Sequence, residues 1–152
     1  MSDIDITVEG VLKMLKDLNP NKAYGPDQLS PRLLKELSLE TSFLTKVFQN
    51  SLRTGIVPED WKTAIVAPVY KNGPKYKASN YRSISFTCIA SKLMEHIMVS
   101  NIMHHLDSYN LLTPFQHGFR SKHSCEPQLL SFAQEIFDNL QSGKQTDFIV
   151  MD

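Results

Sequence analysis

Cysteine is scarce in this sequence: Cys88 and Cys125 are its two thiols in 152 residues. Two unpatterned cysteines do not make a disulfide framework, and they suit a reducing compartment as packing residues. There is no apolar run of membrane-spanning length, and the N-terminus, Met1-Ser2-Asp3-Ile4-Asp5, lacks the basic-then-apolar order of a signal peptide. The expectation is a chain without a membrane partner, made and kept inside the cell. No internal repeat, low-complexity tract or linker argues for two domains. Net charge is absent as well, because 16 Lys and Arg balance 16 Asp and Glu. That balance is regional. From Trp61 to Met94 the chain carries Lys62, Lys71, Lys75, Lys77, Arg82 and Lys92 without one Asp or Glu, so something anionic is expected there.

A hydrophobic content of 41% excludes a largely disordered protein. Thr7 is placed to cap a helix carrying Val8, Val11, Leu12, Leu15 and Leu18 at helical spacing, stopped by Asn19-Pro20. Ser30 before Pro31 starts a short helix with Leu33, Leu34 and Leu37 inward. The next helix should bury Phe43, Leu44, Val47, Phe48 and Leu52 and end at Gly55. Thr63 to Tyr70 and Tyr81 to Phe86 read as two strands around a turn-rich connection beginning Asn72-Gly73-Pro74, so the cations fall on a β-hairpin. Such a hairpin can close over phosphates, and lysines also serve simply to keep an exposed hairpin from pairing with other chains. A long amphipathic helix through Ile89, Leu93, Ile97 and Leu106 should act as a scaffold, up to the Asp107-Ser108-Tyr109-Asn110 turn. An aperiodic connection follows, then a helix with Leu129, Leu130, Ala133, Ile136, Phe137 and Leu140 inward, ended by Gly143, and a strand over Phe148-Ile149-Val150-Met151-Asp152.

The wording of four segments carries a resemblance. Asn21-Lys22-Ala23-Tyr24-Gly25-Pro26-Asp27, the hairpin from Trp61-Lys62 through Tyr70-Lys71-Asn72-Gly73 to Asn80-Tyr81-Arg82-Ser83-Ile84-Ser85, Gln116-His117-Gly118-Phe119-Arg120, and Phe148 to Asp152 occur in that order. In that order they resemble the reverse transcriptases of non-LTR (LINE-type) retrotransposons. Ser83 stands where that family usually has proline after the arginine, and Tyr24 and Gln28 also depart from its commoner wording.

The resemblance implies a helix-rich α/β (α+β) chain: the fingers of a reverse transcriptase with their antiparallel hairpin, and the beginning of the palm. Residues 1–152 would be one partial domain, truncated before the rest of the palm and the thumb; whether the full polypeptide adds an endonuclease domain, and of which type, is open from the sequence. The implied activity is RNA-directed DNA synthesis, with dNTP added to a DNA primer on an RNA template. That chemistry uses two Mg²⁺ ions, Mn²⁺ being the substitute, to activate the attacking hydroxyl and stabilise the leaving pyrophosphate. Asp152 would be the catalytic metal ligand in the family pattern; read on its own it is a solvated chain end. One carboxylate does not hold a metal pair, so the isolated chain is expected to be inactive. Lys71 and Arg82 would clamp the triphosphate, lysine as a point charge and arginine as a bidentate fork. Lys62, Lys75 and Lys77 would contact template phosphates without sequence preference.

Gln116, Gly118, Phe119 and Arg120 admit two readings. One is a contact with template or nucleotide, in which Gly118 allows close backbone approach, Phe119 packs beneath and Arg120 is free for phosphate; the other is a tight loop with an anchoring aromatic. Gly25-Pro26-Asp27 is assigned a structural role, Asp27 capping the next segment. His117, His123 and Cys125, beside His104 and His105, lack the paired spacing of a zinc module, and no nucleophile–base–orienter set supports a hydrolase. The parent element's protein would work in cytoplasm and nucleus. The competing reading is a relic or fragment that binds RNA and catalyses nothing.

Overall fold

The structure is a computed structural model and describes residues 4–149. It is helix-rich, with a two-stranded antiparallel sheet. The helices are α1 (Val8–Lys16), α2 (Pro31–Glu36), α3 (Thr41–Thr54), α4 (Ile89–Ser108) and α5 (Cys125–Gln141), and the strands are β1 (Ile65–Tyr70) and β2 (Tyr81–Phe86). The chain divides into two compact units, one running to His105 and the other starting at Leu106.

In the first unit, local sequence signals set the helix ends. The Thr7 hydroxyl accepts the Gly10 N–H at 3.1 Å, and Ser30 accepts the Leu33 N–H at 3.1 Å with Pro31 in the first turn. Ile6 before the Thr7 cap and Val11 at the fourth helical position are buried in the same cluster, the pairing that fixes how a chain enters a helix. Helix α3 ends at Gly55, left-handed at φ +68, whose N–H bonds the Ser51 carbonyl at 2.9 Å. The core joins Ile6, Val11 and Leu15 to Phe48 of α3 and to Ile89, Ala90 and Leu93 of α4. Trp61 packs edge-to-face on Phe48 at 5.7 Å.

Several expected inward residues face water. Leu33, Leu37 and Phe43 are exposed, whereas Leu34, Leu44 and Leu52 pack against the core. The buried line of α3 runs instead through Thr41, Thr45, Phe48 and Ser51. Its hydroxyls are satisfied by nearby carbonyls, Thr45 on Thr41 at 2.9 Å and Ser51 on Ile56 at 2.9 Å. Small self-satisfied hydroxyls can therefore occupy positions that hydrophobicity alone assigns to Phe43.

Gly25 opens the turn expected of it, its carbonyl accepting the Gln28 N–H at 3.1 Å, and it has a second role. A Cβ there would lie 2.5 Å from the Cys88 backbone nitrogen, so the segment needs a residue without a side chain where it crosses the exit of β2. Asp27 behaves as expected, accepting the Leu29 N–H at 3.2 Å. Strand β1 starts at Ile65, two residues later than expected, because Thr63 still bonds back to the Asp60 carbonyl at 3.0 Å.

In the second unit, Asn110 is left-handed at φ +51 and the Leu111 N–H reaches back to the Leu106 carbonyl at 2.9 Å, closing the end of α4. Gly143, at φ +65, follows α5 as expected. The inward face expected of α5 is exposed, with Leu129, Leu130, Phe137 and Leu140 all open to solvent. Phe148 and Ile149 form no strand, since no described segment pairs with them; Val150, Met151 and Asp152 lie outside the described residues.

Candidate nucleic-acid interface

The hairpin register pairs Ile65 with Phe86, Val69 with Arg82 and Tyr70 with Tyr81. The Lys71 N–H donates to the Asn80 carbonyl at 2.8 Å, which extends the ladder by one step. Because side chains alternate along a strand, Val69, Lys71 and Arg82 share one face, and Lys71 and Arg82 are diagonal neighbours across it. Both are exposed. The two cations named for a triphosphate thus emerge side by side, with no carboxylate in the surrounding stretch to neutralise them.

The connection between the strands is tied by its own polar groups. Gly73 is left-handed at φ +82, and a Cβ there would meet the Asn80 amide at 2.7 Å, so only glycine fits. The Asn80 side chain donates to the Pro74 carbonyl at 2.8 Å, and the Lys77 N–H to the same oxygen at 3.2 Å, which closes a turn over Lys75 and Tyr76. On the face opposite Lys71 and Arg82, the Tyr70 and Tyr81 rings meet edge-to-face at 5.6 Å. Their hydroxyls donate to the Gly73 carbonyl and, at 2.8 Å, to the Lys75 carbonyl. The Lys75 ammonium lies 5.7 Å from the centre of the Tyr70 ring.

Lys62 stands apart from these cations. It pairs with Glu59 at 2.6 Å in the turn before β1, so a carboxylate just outside the acid-free stretch offsets part of its charge.

The second unit carries the Gln116-to-Arg120 segment. Gln116 is exposed, with its N–H on the Thr113 carbonyl at 3.2 Å, and Gly118 has open space around it. Two expectations for this loop are corrected. Phe119 does not pack beneath it; at 105% relative exposure and φ +60 the ring projects into solvent from a backbone conformation that side chains disfavour. Arg120 is not free, because its guanidinium donates to the Thr113 carbonyl at 3.1 Å and lies 3.6 Å from Asp107 with its side chain 18% exposed. Arg120 holds the loop together. Asp107 was not recognisable as its partner, since nothing local in the sequence links them.

His117 and His123 stack edge-to-face at 5.1 Å, each with a ring nitrogen near a backbone carbonyl two residues away. Among the described residues no three His, Cys, Asp or Glu side chains come together as a metal ligand set, and Asp152 lies outside them. No helix among the described residues is long and apolar enough to cross a membrane.

The hairpin is basic and braced by its own polar groups, the kind of surface that attracts an anion. Over 139 residues, 88% of this chain and 15% of the relative, the sequence is 30% identical to the RNA-directed DNA polymerase from mobile element jockey of Drosophila melanogaster. It is 28% identical over 138 residues to the protein of the same name from Drosophila funebris, with the same shares covered. The chain is therefore homologous to part of the jockey non-LTR retrotransposon polymerase, as its four motifs suggested. It spans about 15% of the length of these relatives. No protein-family model matches the sequence.

Proposed function

We propose that residues 1–152 are the fingers and the beginning of the palm of a retrotransposon RNA-directed DNA polymerase, with the hairpin as its grip on the incoming nucleotide. The observation that carries this reading is the register that brings Lys71 and Arg82 side by side on one face of an acid-free hairpin. A lysine and an arginine there supply a mobile charge and a fixed fork to a triphosphate. Lys75 and Lys77, with a smaller share from the paired Lys62, would add sequence-independent attraction to an RNA template and DNA primer. In the second unit, Gln116, Gly118 and Phe119 are open to a nucleic-acid strand, while Arg120 shapes the loop that presents them.

Asp152 is the metal ligand by resemblance to the family motif. Two Mg²⁺ ions would need further carboxylates, which the described residues do not bring together. The reaction is therefore assigned to the longer polypeptide.

The test is Arg82→Lys in a polypeptide extended through the palm. Loss of the bidentate fork should lower kcat/KM for dNTP by about tenfold or more while template–primer affinity stays near the native value. A variant defective in template binding with an unchanged dNTP dependence would move Arg82 to the template track. Absence of Mg²⁺-dependent synthesis by the extended native polypeptide would favour an RNA-binding relic.

A further inference from the structure

We propose that the hairpin face opposite Lys71 and Arg82 is a stacking site for an unpaired base of single-stranded RNA. Tyr76 would supply the stacking surface and Lys75 and Lys77 the contacts to flanking phosphates. This rests on the reading that the hairpin meets nucleic acid, and it deepens that reading by giving the Lys75 and Lys77 side of the ribbon a preference for an unpaired strand.

Three observations carry it. Pro68, Lys75, Tyr76, Ala78 and Tyr81 line an open recess of about 470 Å³ on that face. Tyr76 is 85% exposed at the tip of the turn, far more than a ring that size needs to be for packing. Tyr81, by contrast, is held against Tyr70 behind it and, through its hydroxyl, to the Lys75 carbonyl, so this wall of the recess is braced before anything binds.

A braced aromatic wall and a free ring with cations on either side match the chemistry of single-strand binding, in which bases stack and the backbone is neutralised. A paired base hides its faces in the duplex, so the site discriminates by strand state and not by sequence. The flanking cations distinguish the occupant from an apolar peptide, because Lys75 and Lys77 have no carboxylate near them in the sequence to satisfy instead.

The experiment measures anisotropy of a labelled uridine-run RNA and of a blunt RNA duplex against the full chain over a salt series. The native chain should prefer the single strand. Tyr76→Ala should weaken single-strand binding about fivefold or more with an unchanged salt slope and unchanged duplex affinity. Tyr76→Trp should keep the affinity and add a fluorescence signal quenched by RNA, whereas Lys75→Gln with Lys77→Gln should flatten the salt slope on both ligands. Native affinity in Tyr76→Ala, or equal loss on single strand and duplex, overturns the stacking site while leaving the basic hairpin intact. Binding of a polyproline peptide in preference to RNA overturns it as well. No salt-dependent RNA binding by the native chain would sink the underlying reading along with it.

Discussion

The two units of the chain use apolar residues in opposite ways. Up to His105, hydrophobic side chains from α1, α3 and α4 converge on a cluster in which Phe48 and Val11 are completely buried. From Leu106 onward, none of the described residues is buried, although α5 has the same helical spacing of apolar residues as α1. Amphipathic periodicity thus specifies a face, and burial requires another element to cover it. The first unit contains that element for one face each of α1, α3 and α4, and the second unit by itself does not.

The comparison can be broken most directly by truncating a phenylalanine in each unit. Phe48→Ala should cost about 3–5 kcal/mol in chemical denaturation, from lost transfer energy and the cavity left behind. Phe137→Ala, at a ring 63% exposed, should cost less than about 0.5 kcal/mol. A large loss at Phe137 would show that the α5 face is covered in solution.

A smaller effect separates the two thiols. Cys88 is buried beneath the exit of β2, and burial pushes its thiol up from the ordinary value of 9.0, with the nearby Asp27 and Asp60 carboxylates adding to the rise. Cys125 is exposed. At neutral pH iodoacetamide should label Cys125 well ahead of Cys88, with mass spectrometry reading the order, and equal rates should appear only on unfolding. Because the folded state holds the Cys88 proton more tightly, the stability it lends is whole below pH 9.0 and declines as pH rises through the raised value. Equal labelling of both thiols in the folded chain would contradict the burial of Cys88.

What could be read in the sequence was chiefly local. Thr7, Ser30-Pro31, Gly55 and Gly143 mark helix ends through bonds or backbone angles a few residues away, and the structure uses all of them. Both strands of the hairpin were legible for the same reason. Phe43 and Leu33 were misplaced because helical spacing does not say which of several apolar faces finds a neighbour, and Thr45 and Ser51 won their positions through hydroxyl bonds that hydropathy ignores. In the candidate interface, the clustering of Lys71 and Arg82 followed from the strand pattern. The pairing of Arg120 with Asp107 and of Lys62 with Glu59 depended on side-chain geometry. The tyrosines between the hairpin cations, in Tyr70-Lys71, Lys75-Tyr76-Lys77 and Tyr81-Arg82, were a signal of basic and aromatic interleaving that charge counting passed over.

The close crossing of Gly25 over Cys88 bears on the order in which the first unit assembles. β1 and β2 are neighbours in sequence and close a short loop at little entropic cost, whereas Gly25 and Cys88 are distant and must close a much longer one. We infer that the hairpin forms early and is clasped late by the Gly25 segment. On that account Gly25→Ala would speed unfolding in a stopped-flow chevron and leave the refolding rate nearly native. Slowed refolding would instead place the clasp in the folding nucleus. A late clasp makes the ribbon that carries Lys71 and Arg82 the part of this unit that is built first and fastened last.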